Sequence, residues 1–300
     1  MSAVALGVDL GGTKVEAALV TGDGVVVPGT RCRRATGREV TPSVLRDGLS
    51  AVVGDALAHL PAGVAFAGAG IGSAGPVDLS GGTIAPVNMP GVRGFGIVDA
   101  VRDAVIGATG LPDAVVRLRH DGGCLALAES WIGAAAGSRA SLSIVVSTGV
   151  GGGIVIEGRP IGGASGNAGH LGQTFVDGST TEEIASGPHT VRWARQQGWD
   201  GETGEDLARS AAEGDPLARA AVERSARAVG RALADAATLL DLDVIAIGGG
   251  FSRVSADYVD LVAATVRETA VLPYARSVRV VRSALGDEGP LVGAAALVLR

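Results

Sequence analysis

Cysteine is almost missing from the 300 residues: Cys32 and Cys124 are the two present. Two thiols cannot build a disulfide framework or a four-ligand zinc site, so the fold has to rest on a packed core. Aromatic residues are equally scarce, at 3%. Apolar runs such as 290–299 fall short of the roughly 20 residues that span a bilayer, which argues against a membrane partner. No charged-then-apolar leader precedes the first strand, so the expected location is the cytoplasm. An excess of positive charge is missing as well. The formal net charge of -6 lacks what phosphate-backbone binding requires, and nucleic acid is therefore a poor partner. Lysine occurs once, at Lys14, in a glycine-rich turn; the other basic side chains are arginines.

What is there is a long chain with 47% hydrophobic residues, enough for a sizeable core and for two domains. Its 48 glycines cluster at the ends of Val/Ile-rich runs and mark where strands turn. Residues 5–10 read as a strand, DLGGTK (9–14) as a tight turn, and 15–20 as a returning strand. About half the chain later, 143–148 runs into TGVGGG (148–153) and out through 154–156, which predicts a second hairpin and a duplicated architecture. Helical apolar spacing covers 41–60 and 98–106, while 64–71 and 115–118 read as strands. Further helices are expected near 182–197, over 216–240 and near 256–268, with a strand at 243–247. Strands and helices interleave, so the fold class is α/β with mixed sheets.

Glycine turns let backbone N–H groups approach phosphate oxygens closely. Neither turn matches GxxxxGK[ST], and neither is a GxGxxG opening a helix, so P-loop and Rossmann readings both lose ground. A third cluster, IGGG (247–250), follows a strand and could seat a nucleotide base and ribose, although taken alone a tight strand-to-helix turn is the better explanation of it. Asp121, in HDGG at the end of a strand, is placed to accept a hydroxyl proton in phosphoryl transfer, where the protein mainly positions groups. Taken alone it reads better as a solvated loop or helix-cap aspartate.

The ordered set changes those odds. GVDLGGTKVEAALV (7–20), GIGSAGPVD (70–78), VNMPG (87–91), STGVGGGIVIEGRPIGGASGNAGHLG (147–172), IAIGGG (245–250) and LGDEGPLVGAA (285–295) together resemble the ROK family (repressor, open reading frame, kinase) across the whole chain. The resemblance implies a two-lobed actin/hexokinase-like ATPase fold with a mixed sheet in each lobe. Lobe boundaries are expected at 1–118, closed by a helix at 289–300, and at 119–288. It implies an ATP-dependent sugar kinase acting on the 6-hydroxyl of a hexose or N-acetylhexosamine, with magnesium and with Asp121 as the general base. Asp9, Gly11, Gly12, Thr13, Lys14, Thr148, Gly149, Gly151, Gly152, Gly248, Gly249 and Gly250 would hold the nucleotide. Asn88, His120, Asp121, Asn167, His170 and Glu182 would hold the sugar.

Where the chain departs from the family's pattern, His120 replaces an asparagine, His170 a glutamate and Gln173 a zinc-binding histidine, and the family's cysteine loop is shortened away. No structural zinc or other protein-held metal is expected. The rival reading is a sugar-binding or regulatory protein without kinase activity. A homodimer is a family expectation, and the sequence leaves both ATP and polyphosphate open as donors.

Overall fold

The computed structural model describes residues 3–300, which divide into two compact units. The first comprises residues up to Ile132 together with Arg159–Ala168 and Asp287–Arg300; the second comprises Gly133–Gly158 and Gly169–Gly286. The first unit thus runs past residue 118, because the helix Asp121–Ile132 packs with the C-terminal helix Gly289–Leu299 around Cys124, Leu127, Ala294 and Leu297.

The sheet of the first unit orders its strands Cys32–Ala35, Lys14–Thr21, Val4–Leu10, Phe66–Ser73, Val116–His120. The first three pair antiparallel and the last two join in parallel, so the sheet is mixed. Val4–Leu10 is apolar nearly throughout because both of its faces are covered. Leu6, Val8 and Leu10 join a core with the helices Pro42–Leu57 and Ile97–Thr109, whereas the opposite face meets Gly289–Leu299. That approach is close: a Cβ on Gly70 would lie 1.7 Å from the Ala294 carbonyl oxygen. The helix Pro42–Leu57 begins where the sequence signals it should, with Pro42 in its first turn and the Thr41 hydroxyl accepting from the Val44 N–H at 3.4 Å.

In the second unit the strands run Val150–Ile156, Ala140–Val146, Val244–Gly248, Arg279–Arg282. Again a hairpin is extended in parallel from its first strand. The same strand plan in each unit bears out the duplicated, mixed-sheet α/β reading. The core is built largely on Pro216–Leu240, whose Ala221, Val222, Val229 and Leu233 face the helix Tyr258–Thr269 and the sheet.

Two expectations need correction. The helix expected over 182–197 breaks at Ser186, whose extended backbone (ψ 153°) separates Thr181–Ala185 from Gly187–Gln196. The second glycine cluster is mostly strand rather than turn. Val150–Ile156 already contains Gly151 and Gly152, where a Cβ on Gly152 would lie 2.7 Å from the Ser143 carbonyl, and the turn itself is confined to residues 147–149.

Candidate functional site

Register sets the geometry of the first unit. Leu10 pairs with Ser73 and Ser73 with His120, so residues 11–13 and Asp121 leave the sheet at one edge. Both parallel pairs end there, and the carboxyl ends of parallel strands are where α/β folds bind ligands. Asp121 is the first residue of its helix, and its carboxylate accepts from the Gly122 N–H at 2.7 Å. Asp9, half-buried two residues before the turn, is pushed up to about 7, first by burial and next by the charge of Asp121. Lys14 and Arg31 pull it down and Glu16 adds to the rise. The two aspartates therefore share one electrostatic environment.

The turn is closed by the Gly11 N–H donating to the Lys14 carbonyl at 2.9 Å. Lys14 places its Nζ 3.0 Å from Glu16, which also takes Arg31 at 2.9 Å and Arg33. Burial pushes the Glu16 carboxyl up, but hydrogen bonds from Arg31 and Lys14 outweigh it and hold it below its ordinary value. Asn88 is exposed beside the turn: a Cβ on Gly12 would lie 2.0 Å from its Nδ2. The residue expected to meet sugar and the turn expected to meet phosphate thus lie side by side.

Two sequence-selected residues spend their side chains on backbone. The Asn167 amide pairs with Val77 at both ends, its Oδ1 accepting from the N–H and its Nδ2 donating to the carbonyl, each at 2.8 Å. His120 is 2% exposed, with Nδ1 accepting from the Gly123 N–H at 3.2 Å and Nε2 2.9 Å from the Ala168 carbonyl.

In the second unit Glu182 shapes the second turn. Its Oε2 accepts from the Val150 N–H at 2.8 Å, and Gln173 Nε2 donates to its Oε1 at 3.4 Å. His170, half-buried, immediately precedes the 3-10 turn Leu171–Gln173, which packs so tightly on the strand that a Cβ on Gly172 would lie 2.0 Å from the Val150 carbonyl. After Gln173 comes a two-stranded hairpin, Phe175–Val176 with Ser179–Thr180. Asp177 (φ 51°) and Gly178 (φ 85°) form its turn, and Asp177 pairs with Arg231 of the long helix. Thr181 closes its base by donating to the Thr174 carbonyl at 2.8 Å.

A cavity of about 900 Å³ opens in the same unit, with Thr148, Gly250, Phe251, Gly187, Arg192 and Arg195 among its lining. It brings the second and third glycine clusters to one space of the size that ligand pockets have. The helix start at Gly187 and the arginines one turn apart, Arg192 and Arg195, were missed in the sequence. Their only local signal is the Ser-Gly-Pro helix start followed by Arg at i and i+3. Among the described residues no group of three or more His, Cys, Asp or Glu could hold a metal ion, and no helix is long and apolar enough to cross a membrane.

A family model described as "ROK family" matches residues 5–300. An N-acetylmannosamine kinase of Escherichia coli O9:H4 (strain HS) is 35% identical over 257 residues, covering 81% of this chain and 82% of that kinase. Among solved structures, a ROK hexokinase from Thermus thermophilus superposes with a TM-score of 0.84 at 31% identity, covering 98% of this chain and 97% of that one. A ROK family glucokinase from Streptomyces griseus, in complex with glucose and AMPPNP, gives 0.78 at 29% identity, covering 98% and 99%.

Proposed function

Because the chain belongs to the ROK family, we propose that it transfers the γ-phosphoryl group of ATP to the 6-hydroxyl of a hexose or N-acetylhexosamine, with Asp121 as the general base. The observation that carries this reading is the edge of the first sheet, where the glycine turn, Asp9, Asn88 and Asp121 come together.

Asp121 would accept the proton of the sugar hydroxyl as that oxygen attacks phosphorus, and the helix that it begins holds its carboxylate in place. The turns at 11–13 and 147–149 would offer N–H groups to phosphate oxygens. The 900 Å³ cavity, with bare backbone at Gly250 and the Phe251 ring in its wall, would seat the nucleoside. Asp9 fits a magnesium ion carried in with the phosphates, because burial and a carboxylate neighbour leave it short of positive charge. Such an ion, when bound, would neutralise charge on the phosphates. Asn88, His170 and Glu182 remain the proposed sugar contacts, with Glu182 holding the second turn at the same time.

The test is a coupled assay with Mg·ATP over N-acetylmannosamine, N-acetylglucosamine, glucose, mannose, fructose and allose, repeated with Asp121→Asn. Asparagine keeps the shape but cannot take the proton. General-base contributions are about 10²–10⁴-fold, and a dissociative phosphoryl transfer draws on the lower end. The expected result is turnover of at least one sugar by the parent and a kcat loss of about tenfold or more in the variant, which should stay folded by circular dichroism. Near-native turnover by the variant would remove Asp121 from the role. Sugar binding by the parent without turnover on any of them would favour the regulatory reading.

A further inference from the structure

The ring of His120 is held at three points, and none of them leaves it facing a substrate. A backbone N–H can only donate and a carbonyl can only accept. Nδ1 must therefore be the bare nitrogen facing the Gly123 N–H, and Nε2 must carry the proton given to the Ala168 carbonyl. The imidazole is neutral, in the Nε2–H tautomer. Its flat side lies over Gly123, where a Cβ would come within 3.1 Å of Nε2 and 3.4 Å of Cδ2. The glycine three residues after the histidine is the space that the ring occupies.

Both bonds sit at consequential places. His120 is the residue before the helix Asp121–Ile132, so its bond to Gly123 is a helix cap that satisfies one of the helix's first, otherwise unpaired, N–H groups and fixes the direction in which the helix starts. Asp121 is the next residue. The other bond reaches segment 159–168, which returns to the first unit from far along the chain and which Asn167 fastens to Val77 one residue earlier. Arg119, on the same strand as His120, fills the space beside Gly162 at the other end of that segment.

We infer that His120 is a positioning residue, one that aims Asp121 and pins segment 162–168, and that it is not a sugar ligand. The inference rests on Asp121 being the base, but two of its tests need no turnover. In ¹⁵N-detected imidazole spectra of the parent, one of the chain's His side chains should show the Nε2–H tautomer and disappear in His120→Phe. Hydrogen exchange of the Gly123 amide and of peptides covering 162–168 should speed up at least tenfold in that variant while the rest of the first sheet keeps its protection. Gly123→Ala, whose methyl would crowd the ring at Nε2 and Cδ2 without removing either nitrogen, should act the same way more weakly, and it serves if the phenylalanine variant does not fold.

On the best sugar, kcat should fall by about tenfold or more while the sugar KM stays within about threefold, since misplacing a catalytic group acts on the chemical step. His120→Asn should rescue little, because its shorter amide cannot reach both partners. A protonated Nδ1 in the parent, unchanged exchange in the variants, or a tenfold rise in sugar KM at unchanged kcat would each overturn the inference. If the parent phosphorylates nothing, the kinase reading fails alone, and the tautomer and exchange results still decide the place of His120.

Discussion

Asp9 carries its charge against burial first, then against Asp121 and Glu16, and is pushed up to about 7. An aspartate in an unfolded chain titrates near 3.9, so between about pH 4 and 7 the folded chain binds a proton that the unfolded chain has released. Stability from this site is therefore full below about pH 4 and is lost as the pH rises through 7. Asp9→Asn removes the titration and should flatten that slope in the ligand-free protein. The variant's Tm should exceed the parent's at pH 8, by about 2–4 °C for each kcal/mol recovered in a chain of this kind. Thermal unfolding of both proteins from pH 4.5 to 8.5 checks it, and parallel curves would assign the slope to another group. Asp9 and Asp121 were legible as residues because each stands in a motif. The employment of His120 and Asn167 was not, since their backbone partners at Ala168 and Val77 lie 48 and 90 residues away and carry no side-chain signal.

Short elements around the second turn depend on absent side chains. The 3-10 turn Leu171–Gln173 lies against Val150, and Gly172→Ala would drive a methyl into the Val150 carbonyl. Such overpacking costs about 1–3 kcal/mol when the surroundings shift to relieve it. Gly151→Ala is the matched control, because a Cβ there meets nothing within 4 Å. Chemical denaturation should show a lowered midpoint for the first variant and little change for the second; equal midpoints would mean that the turn yields freely. The same crowding explains which elements could be read in advance. Pro216–Leu240 was legible to the residue because local chemistry marks both of its ends, with Asp215 capping, Pro216 following, and Asp241 leaving the helix at φ 50°. The glycines at 151 and 152 looked like a turn, since propensity disfavours them in strands. Their place was decided instead by pairing with Val145 and Ile144 on the neighbouring strand, whose Ser143 carbonyl also crowds Gly152, contacts that no local pattern contains.

At the scale of the molecule, the duplicated strand plan was legible because hydrophobic runs and glycine punctuation recur, whereas the 900 Å³ cavity was not, because its lining is drawn from residues 147–254 and takes shape only when they pack. The hairpin Phe175–Thr180 is fastened by Thr181 at its base and Arg231 at its tip, and among the described residues no group of three or more His, Cys, Asp or Glu could hold a metal ion. Integrity of the whole fold should therefore be independent of metal. Treatment with a zinc-selective chelator is expected to leave Tm and circular dichroism unchanged, and elemental analysis should find zinc well below one equivalent. Stoichiometric zinc whose removal unfolds the chain would contradict this.

The arginine-for-lysine composition has a practical side. Lys14, at the first turn and salt-bridged to Glu16, is the only lysine, and its side chain is 33% exposed. An acylating reagent aimed at primary amines finds one such side chain in the entire protein, apart from the chain terminus. The mass of a single adduct thus becomes a gauge at one known address, and anything that settles on the first turn is recorded in how fast that adduct forms.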